Sequence, residues 1–361
     1  MHQPESTEVL ALADIEQTAE SIAQLQLSNG MILWTPGGHT DPWNHIEAAM
    51  ALTVAGRIAE AEAAYLWLHR IQGPQGTWHH YYVEEGVEEA KIDTNCCAYI
   101  ATGVLHYWLI TGDDQFAELM WSTVDRALDF VVGLQSASGL IPWAVHSDGK
   151  PWPYALLTGS SSIHHSLLAG LELAERLGHD RPLWELAAVR LGEAIAHDEA
   201  AFEPKKRWAM DWYYPVLSGA LGDEAAAARL EDGRETFVLG EHAERFNTFM
   251  LEDKGIRCVS DRPWVTAAET CECAMAYLSL ADLDSSLAIE ARRLFDAVRI
   301  HRQQDGAYLT GLVYPGDISF PDNECSTYTS AAIILAADAL DRRTPASGLL
   351  IGDGLRDLRR R

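Results

Sequence analysis

Apolar residues return every three or four positions along most of the chain, the spacing of helices with one buried face. The clearest case runs from 160 to 178. There Ser160, Ser161 and Ser162 offer an N-cap, Ile163, Leu167, Leu171 and Ala174 share a face, and Gly178 closes the helix. Other stretches, such as AAIILAA at 331–337, are apolar all round and must be buried on every side. Twelve helical segments emerge. Tight turns near 56–57, 112–114, 178–180, 233 and 283–284 alternate with long loops at about 29–43, 73–92, 136–159, 203–212, 252–265 and 304–326. No period-2 run of β-branched residues interrupts them, so few strands are expected.

Six helical hairpins imply an all-α fold, an (α/α)6 toroid of an inner and an outer helix ring. The boundaries read as one domain over 8–345 and a C-terminal tail over 346–361 that ends in RDLRRR. All six long loops then emerge at one end. They hold Trp34, Trp43, Trp78, Trp143, Trp152, Trp208, Trp212 and Trp264, eight of the twelve tryptophans in under a third of the chain. That excess argues for a functional mouth rather than scattered packing. A phrase also repeats, with Gln, Gly and Trp in order at Gln26-Gly30-Trp34, Gln72-Gly76-Trp78 and Gln135-Gly139-Trp143.

Composition narrows the partners. At 48% hydrophobic and 22% charged the 361 residues are ordinary globular material, and no apolar run approaches the roughly 20 residues that cross a bilayer. A formal charge of -26 repels nucleic acid and anionic membrane surfaces, and favours a neutral substrate. The N-terminal stretch lacks the pattern of a secretory signal, which makes the cytoplasm the expected compartment. The six cysteines form no CxxC pair and read as reduced and buried. Neither a metal nor another cofactor is expected, and the oligomeric state stays open.

Indoles and phenols with carboxylates between them suit a sugar cleft, where pyranose faces stack on rings and hydroxyls meet polar groups. Glycoside hydrolysis needs two carboxyl groups flanking the bond. Asp41, Asp93, Glu269 and Glu324 form the catalytic pool. Three of them have a structural alternative: Asp41 before Pro42 and Asp93 are good helix caps, and Thr266 with Glu269 matches a capping box. Substrate contacts are expected from Trp34, Trp43, Trp78, His79, Trp143, Trp152, Asp211, Trp212, Trp264, Glu272 and Tyr328. His79 and His80 are adjacent and lack a partner at helical spacing, so metal ligation is not expected.

The segment DPWNHIEAAMALTVAGRIAEAEAAYLWLHRIQGPQGTW resembles the glucoamylase-like (α/α)6-toroid glycosidases where an early aspartate enters the substrate subsite. KIDTNCCAYIATGVLHYWLITGDDQF is similar to the helix of unsaturated glucuronyl hydrolases whose Ile-Asp-Thr carries an active-site aspartate, here Asp93. The resemblance places a general base in the last long loop, hence Glu324. It places the general acid in the third, where only Asp148 is available. Among toroids of this kind the chain most resembles the actinobacterial methylmannose polysaccharide hydrolases. That resemblance implies an endo-acting α-1,4-mannosidase, an acid and base pair and, for this architecture, inversion. Two rivals remain. An isoprenoid-binding cyclase or prenyltransferase-like toroid shares the Gln-Gly-Trp phrase, but no DxDD or DDxxD occurs. A non-catalytic glycan-binding protein would need the rings and not the acids.

Overall fold

A computed structural model describes residues 8–240 and 254–355. Six helices form a closed inner ring: α2 (Pro42–Val54), the broken pair α4 (Thr94–Ala98) and α5 (Ile100–Thr111), α7 (Leu157–Arg176), α9 (Met210–Leu217), α11 (Ala267–Leu278) and α13 (Thr327–Asp341). Each packs on the next, and α13 returns to α2. The outer ring is α3 (Ile58–Ile71), α6 (Asp114–Gly133), α8 (Pro182–His197), α10 (Asp223–Phe237), α12 (Ser285–Ala297) and α1 (Leu12–Ala23), each against its own inner partner. This is the (α/α)6 toroid. The inner helices are buried almost throughout, serines and histidines included, whereas α12 and α1 bury single faces. Strands are few and short. Among the described residues four small antiparallel sheets stiffen the loops, and the largest joins Trp264–Thr266, Gly311–Val313 and Ile318–Ser319.

Several boundaries move. Helix α7 begins at Leu157, and Ser161 bonds back to the Leu157 carbonyl instead of capping. Thr266 is the N-cap of α11, but its buried hydroxyl lacks a partner, so the capping box is not made. Gly233 lies inside α10, not in a turn. A side chain there would collide with the Trp212 indole, so the glycine is a packing requirement. The expected tail is partly structural: Leu349 and Ile351 are buried, and His165 on α7 bonds to the Leu349 carbonyl at 2.9 Å. The basic end, 356–361, and the first two residues of the loop at 252–265 lie outside the described residues.

The repeated phrase is a clasp. Gln26, Gln72 and Gln135 each donate from Nε2 to the glycine carbonyl four residues on, and to a carbonyl of the next outer helix, at Glu60, Thr123 and Ala187. Gly30, Gly76 and Gly139 have φ of +95°, +84° and +85°, and a Cβ on any of them would strike the carbonyl of Ala63, Arg126 or Arg190. The phrase therefore ties each long loop to the following hairpin and needs no ligand to explain it. Gly139→Ala combines left-handed strain with a backbone clash and should lower stability by about 2–4 kcal/mol. Urea denaturation would check this, and an unchanged midpoint would show the clasp to be slack.

Candidate active site

Every inner helix enters from the same end. The residues at these entrances, Asp41, Trp43, Asn44, Asp93, Asn95, Cys96, Thr158, Asp211, Glu269 and Tyr328, line one cavity of about 600 Å³. Six helix N-termini therefore point at it, and their positive ends favour the carboxylates gathered there.

Asp41 and Asp93 are helix caps and cavity groups at once. Asp41 Oδ1 accepts from the backbone N–H of Trp43 and Asn44 at 2.8 and 3.1 Å, and Oδ2 from Trp34 Nε1 and Asn44 Nδ2 at 3.0 and 2.7 Å. Burial outweighs these donors, and the charge of Asp93 adds to it, so the Asp41 carboxyl is pushed up to about 6. Asp93 caps α4 through the N–H groups of Asn95 and Cys96, and burial raises it as well. Cys96 joins the two, its thiol 3.8 Å from Asp41 Oδ1.

Glu269 and Glu324 stand on the α11 and α13 side of the same cavity. Glu269 is half-buried in the first turn of α11, with the Cys258 thiol bonded to it. Glu324 accepts from Thr310 Oγ1 at 2.9 Å. Asp211 lines the wall at α9, holds Thr158 Oγ1 at 2.6 Å and is raised by burial. The four acids of the pool thus share one hollow, and Asp148 does not join them. It is exposed on a hairpin tip, where it accepts from the Lys150 N–H.

The rings divide into two sets. Trp34, Trp43, Trp143, Trp264 and Tyr328 line the cavity. Trp78, Trp152, Trp212, His79 and Glu272 do not. Trp78 is 2% exposed and donates to the Leu68 carbonyl. Trp212 stacks on Phe237 and donates to the Arg229 carbonyl. Trp152 stands behind Trp143, edge to face at 4.7 Å, and stacks on His146. His79 is tied to the Ala90 carbonyl, and Glu272 lies beneath the floor. Sequence reasoning passed over Tyr81, Asn44, Asn95, Tyr154, Lys205 and Thr310, which also line the hollow, as do His80 and Trp208 from the mouth loops. The signal for most was available, since each lies in a long loop or within three residues of an inner-helix start. Truncation separates the sets: Trp143→Ala should raise KM about tenfold with little change in melting. Trp212→Ala should instead lose about 3–5 kcal/mol of stability, and the reverse pattern in thermal melts and kinetics would contradict these placements.

His80, Asp93 and Cys96 are the described residues closest to a metal-ligating set, with donor atoms within 4.8 Å of one another. Burial pushes the Cys96 thiol well above its ordinary range, and Asp93 already accepts two backbone bonds. Asp93 and Cys96 are joined through the Cys96 N–H, while the His80 Nε2 lies 3.9 Å from Glu89.

No family model matches the chain. The MMP endo-(1,4)-3-O-methyl-alpha-D-mannosidase of Mycolicibacterium hassiacum is 48% identical over 344 residues, 95% of this chain and 90% of that protein. The chain belongs to its family. Like that relative, this member of the family is an enzyme, a glycoside hydrolase. Its fold is that of a D-mannose isomerase (TM-score 0.69, 12% identity, 95% of this chain and 100% of the other). A GH63 mannosylglycerate hydrolase from Thermus thermophilus shares it too (TM-score 0.66, 13% identity, 89% and 99%). Among the described residues no helix is long and apolar enough to cross a membrane.

Proposed function

We propose that the enzyme cleaves α-1,4-linked, partly O-methylated mannose chains internally, by inversion, with Asp41 as general acid and Glu269 as general base. The observation that carries this is the convergence of four carboxyl groups and a lining of indole and phenol rings in one hollow at the mouth of the toroid. The substrate class follows the name of the 48% identical relative. It also suits the site: methyl ethers enlarge the apolar face of a sugar, and Trp34, Trp43, Trp143 and Trp264 offer flat apolar partners.

The roles follow from environment. Asp41 keeps its proton further toward neutrality than an ordinary carboxyl because it is buried beside a second acid, the arrangement that sorts an acid from its neighbour. To hold that proton it must release one N–H donor. Asn44 can supply the exchange, since rotating its amide turns a carbonyl toward Asp41. The other wall offers Glu269 on a rigid helix, to draw a proton from the attacking water. Asp93, Asp211 and Glu324 are left to hold sugar hydroxyls. The six unpaired cysteines suit a reducing compartment and a polymer met in the cytoplasm.

Asp93→Asn provides a direct test. Removing the neighbouring charge lets Asp41 ionise more easily, so the alkaline limb of the kcat profile should move to lower pH. A limb that stays in place would detach Asp93 from the acid.

A further inference from the structure

The three-stranded sheet at the mouth is apolar on both faces, and the described residues cover one of them. Side chains alternate along a strand, so cross-strand partners share a face. Val265 pairs with Leu312, and these two form a small buried cluster with Tyr314, against Leu239 and Leu309. On the opposite face the register puts Trp264, Val313 and Ile318 in one row and Thr266 with Gly311 in the next. The Phe320 N–H donates to the Gly311 carbonyl at 3.0 Å, which extends that second row to Phe320. Ile318 is 63% exposed and Phe320 54% exposed, so the described residues leave this face open.

The open face runs into the hollow. Trp264 and Thr266 line the cavity and also head the two rows. The Trp264 indole lies across the sheet, over the gap left by Gly311, where a Cβ would come within 2.3 Å of its Nε1. Nε1 donates to the Phe320 carbonyl at 3.0 Å, and the two rings meet edge to face with centroids 5.3 Å apart. The ring is therefore held in place before any ligand arrives. Three strands span two spacings of about 4.8 Å, so the rows carry apolar surface roughly 10 Å outward from Trp264.

A contiguous exposed apolar face that continues a cavity marks a binding surface. The charges that flank it along the chain, Asp317 and Asp322, are acidic and disfavour an anionic lipid or nucleic acid. A neutral chain whose hydroxyls are partly capped as methyl ethers has the matching chemistry.

We infer that Trp264, Val313, Ile318 and Phe320 form an outer subsite, a ledge on which the methylated mannose chain lies where it leaves the hollow. Methyl groups of the chain lose water against Ile318 and Phe320, while a sugar face finds the Trp264 indole. A chain gripped outside the hollow need not present its end there. The ledge thus favours cuts within long methylated chains over trimming of short ones.

The inference rests on the glycan-cleaving reading and deepens it, and its test separates the two. The probes are an α-1,4-linked 3-O-methylmannose polymer, short oligomers of the same sugar and an unmethylated α-1,4-mannan of matched length. The double variant Ile318→Thr with Phe320→Ser should raise KM for the methylated polymer about tenfold, the factor lost when roughly two methyl groups stay in water. Its kcat, its KM for short oligomers and its KM for the unmethylated mannan should stay close to those of the wild-type protein. Ile318→Thr alone changes an exposed strand position to another β-branched residue, and it decides the matter if the double variant melts early. Its KM for the polymer should rise about threefold. Cleavage by the wild-type protein with an unchanged preference for long methylated chains in the variants overturns the ledge and leaves the proposed function standing. If the wild-type protein binds the polymer without cutting it, weaker binding by the variants in isothermal titration supports the ledge, and equal binding overturns it. A polymer neither bound nor cut overturns both. A wild-type dimer that the variants dissociate in sedimentation velocity would give this face to a second copy of the chain, which also overturns the inference.

Discussion

Replacing Glu269 with glutamine should lower kcat by about 10³-fold while leaving the melting temperature close to that of the wild-type protein. The side chain is half-buried in the first turn of α11 and borders the open hollow, so the isosteric amide keeps the volume and disturbs little packing. What it removes is the ability to draw a proton from water. Because this interaction develops in the transition state, the loss should fall on kcat and kcat/KM together, with KM nearly constant. Single-turnover kinetics would check it. A loss below tenfold would move the base to Glu324, which borders the same hollow and is tied to Thr310.

Asp41→Asn should cost about 10²–10⁴-fold in kcat and also change the shape of the pH profile. The folded protein holds the Asp41 proton up to about 6, above the ordinary carboxyl value, because burial opposes the charge. A general acid works in its protonated form, so the wild-type rate should fall as pH rises through about 6, and this limb should vanish in the variant. The same shift has a stability side. A raised carboxyl contributes stability below its ordinary pKa, and that contribution is lost as pH rises through 6. Asparagine is itself a good N-cap, so α2 should remain in place. A variant that keeps the limb at full height would assign the titration to another group.

The toroid was legible because its causes are local and repeated. Helical spacing, all-apolar inner segments and the alternation of tight turns with long loops are each visible in the letters, and together they leave one closed arrangement. Boundaries were less legible. Gly233 looks like a turn, yet it sits inside α10 because Trp212 presses on it, a contact between distant residues. The acids were legible for a related reason: a cap before an inner helix is also a group at the mouth, so Asp41 and Asp93 had to be both. Rings were harder. Trp78 and Trp143 occupy similar repeats, but one indole turns to the Leu68 carbonyl and the other to the hollow. Side-chain direction in an irregular loop is set by tertiary packing, which periodicity does not carry. Glu272 shows the same limit. Three residues beyond Glu269 on one helix, it drops below the floor and meets phenols from α9 and α13.

The most direct measurement is incubation of the protein with an α-1,4-linked 3-O-methylmannose polysaccharide, followed by proton NMR of the anomeric signals and sizing of the products. Shorter oligosaccharides of mixed length, with the β-anomer formed first, are the expected result. A polymer of unchanged length, bound or not, would contradict the reading of the hollow as a site of hydrolysis.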